Sequence, residues 1–208
     1  MKKIAVLVSG GGTNLQALID AQNDGRIKSG KISLVISSNP SAYALKRAGM
    51  AGIPSVVIEK GKLSRDEYTK KLTQCLTGHE IDLVVLAGFM HILGPEIIKE
   101  YQNKIINVHP SLIPSFCGEG YYGIHVHEAT LEYGVKVTGA TVHFVNEIPD
   151  GGPIILQKAV EILDTDTPET LQLRVMKEAE HIILPKAVEL FCADKLEVRG
   201  RIVKIRKD

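Results

Sequence analysis

No apolar run in the 208 residues approaches the roughly 20 that a membrane helix needs. Neither sign of charge is in excess. The 25 Lys and Arg against 24 Asp and Glu leave a formal net charge of +1, so no global field favours nucleic acid or an anionic membrane. Cysteine is scarce: Cys75, Cys117 and Cys192 are odd in number, widely spaced and without a CxxC pair. That argues against a disulfide framework and for free thiols in a reducing compartment. Repeats, low-complexity tracts and linkers are missing, so one domain over 1–208 is expected. The opening MKKIAVLVSGGG has too short an apolar core for a secretory signal and runs into a glycine loop, not a cleavage site. A mature cytosolic start is therefore expected. What the chain does contain is ordinary for a globular protein, 44% hydrophobic and 24% charged residues, at a length that allows one sizeable core.

Strand and helix patterns alternate through the first half. KIAVLV (3–8), KISLVIS (31–37), IDLVVLAGF (81–89) and KIINVH (104–109) are apolar runs suited to strands buried on both faces, and PSVVIE (54–59) is also strand-like. Between them, TNLQALIDAQNDG carries Leu15, Leu18 and Ile19 at helical spacing with Gly25 as a stop. AYALKRAGMAG and GPEIIKEY read as short helices, and Ser64 with Glu67 forms a capping-box signature ahead of a longer one. This rhythm predicts the α/β class: a mostly parallel central sheet with helices on both faces. Ligands in such sheets bind at the carboxyl ends of strands. Three of those ends, 9–14, 88–93 and 107–114, carry unusual residues and are expected side by side on one rim.

In the second half, VKVTGATVHFV (135–145) and GPIILQKAVEI (152–162) read as strands that add to the sheet in antiparallel fashion. A long helix follows, with Thr167 as N-cap and Pro168 at its first position. Pro185 is expected to kink or split it, and KLEVRGRIVKI reads as a small C-terminal hairpin.

The loop SGGGTN follows the first strand and opens a helix. Its glycines let backbone N–H groups approach an anion, and the helix N-terminus adds favourable partial charge. Neither the dinucleotide fingerprint nor the Walker pattern is present, so a small phosphate ester fits best. The competing reading is a tight turn with Thr13 capping the helix. Asn107 and His109 stand two residues apart at a strand end, so they point to one side. Pro110 keeps His109 extended. A histidine exchanges protons near neutral pH, and an asparagine amide can donate to a developing oxyanion. The alternative is a histidine that only fixes the loop.

Asp150, in IPDGGP, is a turn residue unless its loop folds back to His109, where a carboxylate would orient the imidazole and favour its protonated form. His125, His127 and His143 raise the question of a metal, but no cysteine or second HxH accompanies them, and none is expected. Cys117 as a nucleophile is the weaker option for a loop thiol, and His181 is expected to be structural.

VLVSGGGTNLQALID, VVLAGFMHIL, INVHPSLIPSF and VTGATVHFVNEIPDGGPIILQ, in this order and spacing, resemble the phosphoribosylglycinamide formyltransferase family, the folate-dependent transformylases of purine synthesis. The resemblance runs from Ile4 to about Phe191. It implies a Rossmann-like formyltransferase fold and transfer of a formyl group from 10-formyltetrahydrofolate, as co-substrate, to glycinamide ribonucleotide, without a metal. It implies a nucleotide and phosphate half over about 1–110, a folate-binding and catalytic half over about 111–190, and a tail over 191–208. The implied catalytic residues are Asn107, His109 and Asp150. The implied phosphate contacts are Gly12, Thr13 and Asn14, and the implied folate contacts are Arg65, Met90, His91, Ile92, Leu93 and Asn107. The 145–150 loop is expected to close over the pterin.

There are three departures. His91 stands where arginine is common. The stretch SFCGEGYYGIHVHEA is longer than in many relatives and is expected to alter a rim or an oligomer contact. RVMKEAEH is one residue longer than usual, so the acidic substrate contact is Glu178 or Glu180, with Glu180 favoured because it precedes His181. Small-molecule substrates, a cytoplasmic monomer or homodimer, and no nucleic-acid or membrane partner complete the expectation. A formyltetrahydrofolate hydrolase, another folate-dependent formyltransferase and a non-catalytic phosphate- or folate-binding module are the alternatives.

Overall fold

The first apolar run forms β1 (Lys2–Val8), whose last five residues are all buried. They divide between two cores. Ile4, Val6 and Val8 face one, and Ala5 and Leu7 face the other. A strand covered on both faces needs a continuous apolar run, not an alternating one. The computed structural model describes residues 1–206, so the last two residues of the expected tail lie outside it. Beside β1 run β2 (Gly30–Ser37), β3 (Ser55–Val57), β4 (Leu83–Leu86) and β5 (Ile105–His109). They are separated by α1 (Thr13–Asn23), α2 (Tyr43–Met50), α3 (Arg65–Gly78) and α4 (Pro95–Glu100), and all five strands are parallel. After α5 (Ile124–Tyr133) come β6 (Val137–Phe144) and β7 (Ile154–Glu161), which pair antiparallel.

The C-terminal hairpin, β8 (Leu196–Arg199) and β9 (Ile202–Ile205), joins the edge of the sheet through Ile154 and Ile202. Among the described residues nine strands lie in the order β3-β2-β1-β4-β5-β6-β7-β9-β8. The mostly parallel sheet with antiparallel additions is thus as expected. The chain reverses its direction of travel across the sheet between β1 and β4, which makes the neighbouring strand ends a natural ligand crevice.

One face of the sheet packs on Leu15 and Leu18 of α1, Ala44 and Ala48 of α2, and the long C-terminal helix; the other packs on Tyr68, Leu72 and Leu76 of α3 and Ile97 of α4. Each fully buried leucine contributes about 1.5–3 kcal/mol. Ser64 caps α3 with the expected box to Glu67. Among the described residues no helix is long and apolar enough to cross a membrane.

The C-terminal helix corrects one expectation. Thr167 caps α6 (Pro168–Val175), with Pro168 at its start, but Pro185 does not break the chain's later helical turns. The departure from α-bonding is a π turn at Met176–Glu180, and α7 (His181–Cys192) runs past Pro185. In a π turn the bonds span five residues instead of four, so the helix has changed its bonding pattern just before the proline is reached.

Candidate active site

Because β1, β4 and β5 are adjacent, their carboxyl ends form one rim. The first two loops are tied together there: the Ser9 amide donates to the Gly88 carbonyl at 3.1 Å and the Met90 amide to Ser9 Oγ at 3.0 Å.

At the glycine loop, Gly12 takes the N-cap of α1 at φ 72°, so Thr13 is the first helical residue and caps nothing. A Cβ on Gly12 would meet Ala44 Cβ at 2.6 Å, which leaves glycine as the residue that fits. Arg47, which no sequence motif singles out, braces the loop by donating from Nε to the Gly11 carbonyl at 2.9 Å and from Nη1 to Gln16 at 3.0 Å. Thr13, Arg47 and His181 line a cavity of about 320 Å³ beside the loop, so His181 stands at its rim.

Asn14 turns inward, where its Nδ2 donates to Glu180 Oε2 at 2.7 Å and its Oδ1 is buried without a partner. Glu180, buried, is the carboxyl that reaches the loop, while Glu178 is exposed. Burial pushes Glu180 above the ordinary carboxylate value, and the Asn14 hydrogen bond offsets only part of this.

On the β4 side, the Arg65 guanidinium donates to the Leu93 carbonyl. Met90 and Ile92 are exposed, Leu93 is buried, and the His91 ring stands edge-on to Tyr68 and Phe89. A cavity of about 630 Å³ opens between α4 and the segment after β6, lined by Pro95, Ile98, Val145, Asn146, Ile148 and Pro153.

The two halves meet at Asn107, His109 and Asp150. The β5–β6 register sets His143 opposite Asn107 and Thr141 opposite His109. The β6–β7 loop folds back tightly enough that a Cβ on Gly152 would lie 1.7 Å from the Phe144 carbonyl oxygen, and one on Gly151 would lie 2.6 Å from Ile148 Cβ. The two glycines after Asp150 therefore allow the fold-back that brings its carboxylate to the strand end. Asp150 Oδ2 lies 3.4 Å from His109 Nδ1, and Oδ1 lies 3.4 Å from Asn107 Nδ2 and 3.5 Å from His143 Nε2.

His143, which in the sequence raises only the question of a metal, belongs to this cluster. Its Nδ1–H donates to the Phe144 carbonyl at 2.8 Å, so its Nε2 accepts from Asn107 Nδ2 at 3.2 Å. The signal for it is the strand period, which puts residues 141 and 143 on one side. Phe116 and Gly118 are two further contacts that the sequence does not reveal. The Phe116 carbonyl accepts from His109 Nε2 at 2.8 Å, and the Gly118 amide donates to Asp150 Oδ2 at 2.9 Å.

The electrostatics correct a second expectation. Burial pushes His109 down, and Asp150 and the Phe116 carbonyl push it up without making good the loss, so it rests below its ordinary value of 6.5. The carboxylate acts in the expected direction, but the resting imidazole is neutral at pH 7. With Nε2–H held by the Phe116 carbonyl, the lone pair sits on Nδ1, facing Asp150. Burial raises Asp150, but contacts with His143, His109 and the Gly118 amide outweigh it and hold the carboxyl below the usual range. Burial and the Asp150 charge raise the Cys117 thiol, which is the wrong direction for a nucleophile. His125 pairs with Glu128 at 2.8 Å, and His127 is wholly buried, close enough to His109 for their charges to interact. Among the described residues no group of three or more His, Cys, Asp or Glu side chains is arranged to hold a metal ion.

Sheet order and cluster together define a Rossmann-like α/β protein with a His–Asp–Asn cluster at the carboxyl end of β5, beside its switch point. The family model described as Formyl transferase matches residues 2–188, and the chain belongs to that family. A phosphoribosylglycinamide formyltransferase of Haemophilus influenzae is 41% identical over 203 residues, 97% of this chain and 92% of that protein. The trifunctional purine biosynthetic protein adenosine-3 of Drosophila melanogaster is 45% identical over 191 residues, 91% of this chain, and the chain spans 14% of its length. The crystal structure of glycinamide ribonucleotide transformylase 1 from Symbiobacterium toebii is similar with a TM-score of 0.93 and 42% identity, covering 100% of this chain and 95% of that one.

Proposed function

We propose that this chain transfers the formyl group of 10-formyltetrahydrofolate to the amine of glycinamide ribonucleotide, a step of purine synthesis, in the cytosol. One observation carries the reading. A neutral imidazole, a low-pKa carboxylate and an amide meet within 3.4 Å at the carboxyl end of β5, on the same rim as a glycine loop suited to a phosphate.

In this reading the ribonucleotide phosphate takes the N–H groups at Gly12 and Thr13. Glu180, with the free Oδ1 of Asn14, accepts from substrate hydroxyls. The folate lies against Met90–Leu93 and the 145–150 segment. The substrate amine attacks the formyl carbon, giving a tetrahedral intermediate with charge on oxygen. Asn107 Nδ2–H leaves its long contact with Asp150 and donates to that oxygen. His109 Nδ1 takes the proton lost by the amine, directly or through a water, and Asp150 stabilises the imidazolium. The same proton goes to the departing folate nitrogen as its bond to carbon breaks. The nucleophile belongs to the substrate, so no protein side chain is acylated. Holding two substrates together supplies much of the remaining rate.

The test is purified protein with both substrates, followed by folate absorbance. Turnover that requires the ribonucleotide supports the reading. Turnover without it identifies a hydrolase, and binding without turnover identifies the non-catalytic module.

A further inference from the structure

The loop between β5 and α5, expected only as a rim or an oligomer contact, holds His109 and Asp150 of the cluster with its backbone. Phe116 gives its carbonyl to His109 Nε2, and two residues later Gly118 gives its amide to Asp150 Oδ2. Phe116 adopts φ 47°, a left-handed conformation that a bulky residue keeps only when its surroundings hold it. What holds it is aromatic. Its ring meets Tyr121 edge-on at 6.2 Å and Tyr133 edge-on at 5.8 Å between centroids. Tyr133 ends α5, so the loop is fastened to a rigid element. Ser111 Oγ donates to the Ser115 carbonyl at 2.6 Å and pins the near side.

An acceptor on one ring nitrogen decides which nitrogen carries the hydrogen. We propose that Phe116, Tyr121 and Tyr133 form an aromatic clasp that presses the Phe116 carbonyl onto His109, so that Nε2 keeps its hydrogen and Nδ1 alone exchanges a proton beside Asp150. These three are positioning residues. Their consequence for rate rests on the formyl-transfer reading, while the tautomer they set does not. Asp150, His143 and His127 are the ionisable groups whose charges act on His109, and none of them offers Nε2 an acceptor in place of the carbonyl.

Tyr133 is 79% exposed, so Tyr133→Ala leaves the core intact. The expected result is a fall in kcat of about tenfold with KM for both substrates within about twofold, because a group displaced by a fraction of an ångström loses rate and not binding. The acid limb of the pH–rate profile moves to lower pH, since the lost carbonyl contact had favoured the imidazolium. Tyr133→Phe, which keeps the ring, restores wild-type values. In parallel, the side-chain ¹⁵N shifts of His109 in ligand-free protein report one Nε2–H tautomer in wild type and a mixture in Tyr133→Ala and Phe116→Gly. Glycine at 116 allows the positive φ but removes the ring. An unchanged tautomer in both variants overturns the clasp, as does a Tyr133→Phe variant as impaired as the alanine. If wild type transfers no formyl group, the reaction assignment fails, and the ¹⁵N measurement alone decides the clasp.

Discussion

Two corners of the site each pair an asparagine amide with a carboxyl, buried at Glu180 and part-buried at Asp150, and they behave in opposite ways. At Asn14 and Glu180 the amide is the carboxyl's one hydrogen-bonding partner among the described residues, and burial prevails, raising Glu180. At Asn107 and Asp150 two imidazoles and the Gly118 amide join in, and the carboxyl is held low despite burial. Burial sets the cost of a charge, and the donors and positive charges gathered around it decide whether the charge is kept. The first corner is suited to accepting from neutral hydroxyls. The second keeps an anion ready for a proton arriving on His109.

The largest expected effect is at the second corner. His109→Ala lowers kcat by about 10²–10⁴-fold while both substrates still bind, as steady-state kinetics with equilibrium binding would show. Near-wild-type turnover would remove His109 from the chemistry. Next is Asp150→Asn, with kcat down by about a hundredfold. The active form has Nδ1 unprotonated, so the rate rises with pH through a His109 value already below 6.5. Removing a carboxylate that raises that value moves the acid limb lower still, and an unmoved limb argues against the electrostatic role.

The smallest effect is at the first corner. Glu180→Gln keeps an acceptor for Asn14, raises KM for the ribonucleotide by about tenfold and leaves kcat nearly unchanged. A carboxyl raised in the fold costs stability above its folded pKa and costs nothing below the unfolded value of about 4.5. The Gln protein therefore melts higher at pH 7, by about 2–4 °C for each kcal/mol relieved, and shows no gain at pH 4. A gain at both pH values would mean that packing, not charge, separates the two corners.

The parallel half was legible because each of its signals is local. Ile4–Val8 reads as a doubly covered strand, and Ser64 with Glu67 reads as a cap, without knowledge of neighbours. The Asn107–His109 spacing was legible for the same reason. The partnership with Asp150 was not, because it depends on how closely Gly151 and Gly152 let one loop approach Phe144 and Ile148. His143 depends on cross-strand register, and the Phe116 contact depends on a backbone carbonyl, which has no letter in a sequence. The protonation state of His109 escaped because the carboxylate was visible in advance and the burial was not. Residue patterns identify partners within a strand or a turn, whereas distances across loops decide which partners meet.

The π turn at Met176–Glu180 bears on the rotational phase of the C-terminal helix. Each residue added to an α-helix turns everything beyond it by about 100°. An extra residue in RVMKEAEH would swing Glu180 away from Asn14 and turn the buried Ile183, Leu184, Ala187 and Val188 off the sheet. One widened turn absorbs that rotation at its source. The widened turn takes one residue more than α-bonding would, and the helix beyond it still packs its apolar stripe on the sheet while Glu180 reaches Asn14, much as a leap day keeps a calendar aligned with the seasons.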